Sequence, residues 1–282
     1  MKVRIHDDPA EYWALARPVF AADPLRHTHG LSVGRRLVET PAPDLEPPVL
    51  MTLWDGDRIA GAAFRQWPWP FGISAVPAGA GGEAFANALL EHGVDLPCVS
   101  GPRDTAEPFG QLWSTLTGAS VREVRAMRLF RLGTLEPPAT AGRARAVTED
   151  DLPMLVEWVA AFEVEAIGER RSTGQVLNML RQSLALGNGL LLWEDGDQAV
   201  SYAAVGAPVD GMSRIGPVYT PPELRGRGYG AAITAEVSRW ALEAGAEYVC
   251  LFTDLANPVS NAIYQRIGYR PVYDQTELAF EN

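Results

Sequence analysis

Lysine is nearly absent. Lys2 is the only one, so arginine supplies all but one of the 24 cations. A Walker-type phosphate loop needs Gly-Lys-Ser/Thr, and none can be written here. Cysteine is scarce too, with two in 282 residues. That excludes a disulfide framework and a cysteine-built zinc site. Positive charge is in deficit, the formal net charge being −11. A broad nucleic-acid or anionic-membrane surface needs clustered cations to displace counterions, so neither partner is expected. No apolar run approaches the ~20 residues that span a bilayer. The N-terminal stretch MKVRIHDDPAEYW lacks the apolar core of a signal peptide. What is present, 47% hydrophobic and 21% charged residues, can bury a real core. At ~150 residues per domain, a soluble, cytoplasmic chain of about two domains is expected.

The two halves read alike. The Pro/Gly-rich segment Glu136-Pro137-Pro138-Ala139-Thr140-Ala141-Gly142 marks a linker, which gives domains over 1–135 and 143–282. Arg4-Ile5-His6-Asp7-Asp8 leads into a helical pattern ending at Phe20, and Arg145 to Asp150 leads into one ending at Phe162. Leu53-Trp54-Asp55-Gly56-Asp57 has a counterpart in Leu192-Trp193-Glu194-Asp195-Gly196-Asp197. Asp-Gly between apolar runs predicts a hairpin in each half. Cys98 and Cys250 each sit in a short apolar run, read as strand core. The matches keep one order, which points to a tandem duplication, with the first copy about ten residues shorter between hairpin and cysteine.

In the second half, Arg143 to Val147 reads as a strand. Thr148 to Glu163 reads as a helix, with Thr148 as N-cap and Asp151 completing a capping box. Its apolar stripe is Leu152, Leu155, Val156, Val159 and Phe162. Helices are predicted over Ser172 to Leu186, Tyr229 to Ala244 and Pro258 to Ile267. Strands are predicted over Leu190 to Trp193, Ala199 to Gly206, Ser213 to Thr220 and Tyr248 to Thr253, with one or two more over Arg270 to Phe280. The order β-α-α-β-β-β-α-β-α-β implies the α/β class, in the α+β sense of a mixed sheet flanked by helices.

The segment richest in chemistry runs from Val218 to Ala231 and contains Arg225-Gly226-Arg227-Gly228-Tyr229-Gly230. A strand ends, an Arg/Gly loop follows and a helix begins. Helix starts leave N–H groups unpaired and carry about half a positive charge. Glycines let the backbone approach a phosphate, and arginines add planar donors. The physical reading is a pyrophosphate cradle. Two versions compete: a dinucleotide fingerprint, Gly226-x-Gly228-x-x-Ala231, and the Arg-x-x-Gly-x-Gly loop of acyl-CoA-dependent transferases. Gly216-Pro217 suits a central parallel strand poorly, which weighs against the first.

With the element order and this loop, a further segment carries a resemblance: Asn257-Pro258-Val259-Ser260-Asn261-Ala262-Ile263-Tyr264-Gln265-Arg266-Ile267-Gly268-Tyr269. Over about residues 143–282 the chain resembles the GNAT superfamily of acyl-CoA N-acyltransferases. The resemblance implies a catalytic second copy with acetyl-CoA as co-substrate; with the duplication, two GNAT-like domains are expected, and no metal. It implies that backbone groups of Val218, Tyr219 and Thr220 pair with pantetheine amides, on a strand splayed by a bulge. It implies that amides of Gly226, Arg227, Gly228, Tyr229, Gly230 and Ala231, with Arg225, hold the pyrophosphate. Asn257 and Ser260 would face the pantetheine arm, and Tyr264 would protonate the leaving thiolate or stand as a core aromatic.

Direct transfer to an alkylammonium of pKa ~10.4 needs a base, since withholding it costs about 4–5 kcal/mol at pH 7. Many family members carry a Glu or His on the strand before the loop, yet Met212 to Thr220 contains neither. Tyr219 could relay through water. Glu165, expected in the turn after the first helix, is the leading base, ahead of Glu163, Glu169, Glu194 and Asp254. In the first copy, Val76 to Phe85 is Gly-rich without arginine, Glu83 sets a negative charge at the cradle, and Trp113 stands where Tyr264 aligns. That copy is expected not to bind CoA productively. Trp67-Pro68-Trp69-Pro70-Phe71 reads as a domain interface or an aromatic wall, and His27-Thr28-His29 as loop histidines rather than a metal site. The function expected is N-acetylation of a small-molecule amine or a peptide. The alternatives are a non-catalytic acyl-CoA sensor, a thiol-biosynthetic acyltransferase and a nucleotide binder.

Overall fold

Two tight turns set the pattern of both halves. In one, β2 (Val49–Asp55) and β3 (Arg58–Arg65) pair antiparallel around Gly56, whose φ is +61°. In the other, β8 (Gly189–Asp195) and β9 (Gln198–Val205) pair around Gly196, at φ +62°. A Cβ at either glycine would meet nothing, so the backbone conformation alone asks for glycine. The computed structural model describes residues 1–40, 46–67, 69–168 and 171–281.

Around these hairpins the elements follow twice in one order. The first set is β1 (Lys2–His6), α1 (Pro9–Ala21), α2 (Thr28–Glu39), β2, β3, β4 (Phe71–Ala75), α3 (Ala80–Glu91), β5 (Cys98–Pro102), α4 (Arg103–Thr117) and β6 (Ser120–Leu132). The second is β7 (Arg143–Ala146), α5 (Leu152–Ile167), α6 (Thr173–Ala185), β8, β9, β10 (Met212–Tyr219), α7 (Tyr229–Glu243), β11 (Tyr248–Asp254), α8 (Pro258–Arg266) and β12 (Tyr269–Glu281). Each set makes a mixed sheet flanked by helices, the class expected.

The chain divides into two compact units. Unit 1 comprises Met1–Leu129, Thr253–Ala256 and the chain from Val272 onward; unit 2 comprises Phe130–Phe252 and Asn257–Pro271. In unit 1, β1 to β5 lie in chain order, and β12 pairs antiparallel with β5 through Gln275–Ala279. Its core joins Met51, Leu53, Ile73, Phe85, Val99, Phe109, Trp113 and Leu278. In unit 2, β7, β8, β9, β10 and β11 lie side by side. Leu152, Leu155, Val156 and Val159 are buried on Leu190, Leu192 and Tyr202, while Phe162 stays half-buried. On the other face α7 packs Ile233 and Val237 with Leu251 and Tyr269.

The short C-terminal tail therefore makes one strand and not two. Tyr269–Pro271 counts with unit 2 and the remainder of β12 with unit 1, while the end of β6, Phe130–Leu132, counts with unit 2. The Pro/Gly-rich segment 136–142 packs on unit 2. The Trp193 indole donates to the Ala141 carbonyl at 2.9 Å, and Glu136 N–H to the Ile267 carbonyl at 3.1 Å. Gly142, at φ +110°, has the Glu194 carbonyl oxygen 2.2 Å from where a Cβ would sit.

Thr148 and Asp151 form the expected capping box, but around a short 3-10 turn, Glu149–Asp151. α5 starts at Leu152 and runs to Ile167, where Gly168 ends it at φ +78°. Glu165 is thus in the last turn of α5, not in a turn after it; nothing between Glu163 and Gly168 breaks a helix. Asp151 takes two hydrogen bonds from Arg145, at 2.6 and 2.8 Å, and Arg145 gives a third to Glu194. The Arg145 guanidinium first, helped by the Thr148 N–H and hydroxyl, holds the Asp151 carboxyl well below the usual range. A depressed carboxyl contributes stability above its unfolded pKa of ~3.9, lost as pH falls through the folded value. Asp151→Asn is expected to cost about 1–2 kcal/mol at pH 7. The gap from wild type should narrow below about pH 4, as read by urea unfolding at several pH values.

Candidate functional site

The site grows from a strand that leaves its neighbour. β10 runs parallel to β11 from Met212 to Ile215, opposite Tyr248 to Leu251. Among the described residues that ladder ends there, although both strands continue. On the other side, the β9 register shifts between Ile215 and Val218. Pro217 has no N–H to give a ladder, so the break falls where the sequence weakens pairing. Beyond it, Val218 and Tyr219 still pair with β9, opposite Ala203 and Tyr202, but no longer with β11. The Ser201 hydroxyl donates to the Tyr219 carbonyl at 2.8 Å and shares a 2.8 Å hydrogen bond with the Thr220 hydroxyl. The Tyr219 ring is buried, 6.0 Å from that of Trp158 on α5.

The loop after β10 ends at an uncapped helix. Pro222–Leu224 makes a 3-10 turn and Arg225 to Gly228 stay exposed. Gly226 and Gly228 adopt φ +79° and +87°, which side chains other than glycine rarely take. A Cβ at Gly228 would also stand 3.0 Å from the Thr140 hydroxyl. Gly228 is the N-cap of α7 and offers no side chain; the first bond of the helix is Ala232 N–H to the Gly228 carbonyl at 3.0 Å. The N–H groups of Tyr229, Gly230 and Ala231 are therefore left over at the positive end of the helix. α8 shows the contrast, since Asn257 caps it by accepting from Ser260 N–H at 3.0 Å. The Tyr229 ring is buried, and its hydroxyl donates to Asp195 at 2.5 Å, which raises its pKa.

Arg225 and Glu165, 60 residues apart, meet here. One guanidinium nitrogen of Arg225 donates to both Glu165 oxygens, at 2.9 and 2.7 Å, and Nε donates to the Thr220 carbonyl at 2.9 Å. Burial, and after it the Glu165 carboxylate, raise the Tyr219 hydroxyl. The structure thus gathers Val218 to Thr220, Arg225, Glu165 and the start of α7. Tyr264, half-buried on α8, meets Tyr269 edge-on at 6.1 Å, and burial pushes its hydroxyl up to about 12. Asn257 is engaged as a cap, and Ser260 lies in the first turn it closes.

The other base candidates are accounted for individually. Glu163 is buried and gripped by Arg171, with Nε at 2.7 Å. Glu194 holds Arg145, and Asp254 accepts from Ala256 N–H at 2.7 Å. Glu169 lies outside the described residues. Sequence reasoning missed the Trp158, Thr140 and Asp195 contacts and the Arg225–Glu165 pair, because no local pattern links residues that far apart.

Unit 1 has a related corner with different chemistry. β4 pairs parallel with β5 and shows a register shift against β3. Only four residues, Val76–Gly79, join β4 to α3, against nine, Thr220–Gly228, between β10 and α7. Gly79 caps α3 at φ +63°, but Glu83 sits in the first turn and Pro77 lies 2.8 Å from where a Cβ on Gly81 would stand. Trp113 is buried against Phe280. Thr28 and His29 are in α2 and His27 is its N-cap, so these residues start a helix and are not a loop. His27 is buried, shares a 3.0 Å hydrogen bond with Ser74 and is pushed down to about 4 by burial. Among the described residues no group of three or more His, Cys, Asp or Glu could hold a metal ion. Trp67 and Trp69 are exposed, Arg65 stacks on Trp67 at 4.8 Å, and Pro68 lies outside the described residues. No helix among the described residues is long and apolar enough to cross a membrane.

Comparison with known proteins bears out the resemblance read from the sequence. Residues 153–269 match the model of the Acetyltransferase (GNAT) family. Among solved structures, the chain is similar over 100% of its length to 99% of a GNAT-family acetyltransferase from Colwellia psychrerythraea, with TM-score 0.63 and 10% identity. It is similar over 99% of its length to 95% of a GCN5-related N-acetyltransferase from Sphaerobacter thermophilus, with TM-score 0.64 and 19% identity. It is also similar over 99% of its length to 98% of a tandem GNAT protein from the clavulanic acid biosynthesis pathway, with TM-score 0.61 and 13% identity. At these identities the likeness is one of fold. No curated protein sequence matches the chain.

Proposed function

We propose that this chain, whose residues 153–269 match the model of the Acetyltransferase (GNAT) family, moves an acetyl group from acetyl-CoA to the primary amine of a small molecule, by direct transfer in unit 2. The observation that carries this reading is the uncapped start of α7, flanked by Arg225 and two left-handed glycines, at the end of a strand that has left its neighbour. Peptide-like backbone from Val218 to Thr220 suits the pantetheine amides, as an added strand would. The N–H groups from Gly226 to Ala231, with Arg225 and Arg227, suit a diphosphate. Asn257 and Ser260 border the pantetheine arm.

The chemistry then falls to two groups. The amine nitrogen attacks the acetyl carbonyl carbon and the carbon–sulfur bond breaks. Tyr264 gives its proton to the leaving thiolate; its hydroxyl, pushed up to about 12, is protonated throughout the neutral range. Glu165 takes the proton that the ammonium must lose. The observation favouring a second reading, binding without turnover, is that Arg225 engages Glu165.

Unit 1 reads as a degenerate copy of the same unit. Its connection into α3 is short and carries no arginine, and Glu83 stands in the first turn of that helix. Calorimetric titration of acetyl-CoA is expected to give one equivalent per chain. Two equivalents would make unit 1 a second cofactor site. Thiol release with a panel of primary amines then separates transfer from binding alone: release that depends on the amine supports transfer, and none across the panel supports the binding module.

A further inference from the structure

The cradle is already partly occupied, by a side chain. Arg225 spends one guanidinium nitrogen on both oxygens of Glu165 and another on the Thr220 carbonyl. A carboxylate gripped in this way offers a guanidinium the same edge of charged oxygens that a phosphate does. The pair is also made to be broken. The two side chains are 46% and 45% exposed, and exposed pairs are weak. Among the described residues Glu165 is shown in no other hydrogen bond or ion pair. It lies three residues before Gly168, where α5 ends. A change of side-chain rotamer frees it without moving the helix.

The charges around the loop point the same way. Glu165, Glu223 and Arg225 all act on the Tyr219 hydroxyl, and Asp195 and Arg227 on that of Tyr229, so carboxylates and guanidinium groups are mixed around the loop. A diphosphate entering beside an ionised Glu165 gains little from Arg225 while that carboxylate stays in place. If the carboxylate swings aside, the guanidinium keeps its Thr220 anchor and exchanges one anion for another.

The geometry points to this exchange: Glu165 stands in for the diphosphate on Arg225 in the free protein, and diphosphate binding releases the Glu165 carboxylate beside Tyr219. This rests on the reading of the α7 N-terminus as the cofactor's diphosphate site. It makes the proton acceptor available only once the cofactor is in place. Glu165 is then both a gate on cofactor affinity and the acceptor of the amine proton.

Calorimetric titration of coenzyme A into wild type, Glu165→Gln, Arg225→Ala and the double variant tests it. Glu165→Gln is expected to bind coenzyme A about two- to five-fold more tightly than wild type, the range set by exposed ion pairs. The gain should vanish when Arg225 is already alanine. Glu165→Ala provides a second variant with the same expectation. An equal gain in both backgrounds would mean simple repulsion and would overturn the exchange, as would Glu165→Gln binding no more tightly than wild type. If wild type binds no coenzyme A, the cofactor reading itself fails, and the exchange with it.

Discussion

Arg225→Ala should weaken coenzyme A binding about ten- to a hundredfold, with the fold and melting temperature close to those of wild type. Hydrogen bonds to charged groups contribute about 1.5–3 kcal/mol each, and 1.4 kcal/mol is a factor of ten. The lower half of the range is favoured because the free protein already engages this guanidinium. Its pair with Glu165 must be given up when a phosphate arrives. Folding should hardly register the change, since an exposed ion pair stabilises by at most about 1 kcal/mol. The backbone part of the cradle survives, because the α7 amides and the two left-handed glycines do not depend on Arg225. Calorimetric titration against wild type measures the effect. Unchanged affinity would take the diphosphate away from this loop and leave its geometry as a helix start only.

Tyr264→Phe is expected to lower kcat about a hundredfold while the KM for acetyl-CoA stays within a few-fold. A positioned proton donor contributes about 10²–10⁴ in rate. The phenyl ring keeps the edge-on contact with Tyr269 and the packing of α8, so cofactor binding and stability have little reason to change. The hydroxyl is raised to about 12 by burial. It therefore stays protonated across the working pH range, and its loss should scale the pH profile without moving a limb. A pH profile of kcat for both proteins checks this. A variant within two-fold of wild type would make Tyr264 a core aromatic, with the thiolate leaving unprotonated or protonated by water.

Much of the fold was legible because it is written at short range. The Gly56 and Gly196 hairpins, the Thr148–Asp151 box and the starts of α7 at Tyr229 and α8 at Pro258 each depend on residues within four positions of one another. The apolar stripe of α5 likewise follows from spacing, although Phe162 is only half-buried. α5 runs past Glu163, where the sequence predicts its end, because the stripe stops before the helix does. Val164 to Ile167 are good enough helix formers to continue until Gly168 takes a left-handed turn. The helix that starts at His27 to His29 is not legible in the sequence, because twelve residues with two interior glycines, Gly30 and Gly34, have weak local propensity. Those glycines are needed where the Phe20 and Trp13 rings come within 2.7 and 2.4 Å of where a Cβ would stand.

By itself, then, the sequence determined the class of the fold, the twofold order of its elements and the glycine loop that leads from Arg225 into the uncapped start of α7. Local backbone preferences, hairpin turns and an uncapped helix start need nothing from afar. Only the tertiary structure decided where β12 goes, with Tyr269 in one unit's core and Leu278 in the other's. Only it decided that Arg225 and Glu165 meet, that Asp195 takes the Tyr229 hydroxyl and that Thr140 closes over Gly228. Such pairs lie tens of residues apart, beyond the reach of any helix or strand period. Which carboxylate meets which guanidinium is settled by how strands and helices pack, and that packing is a property of the whole unit.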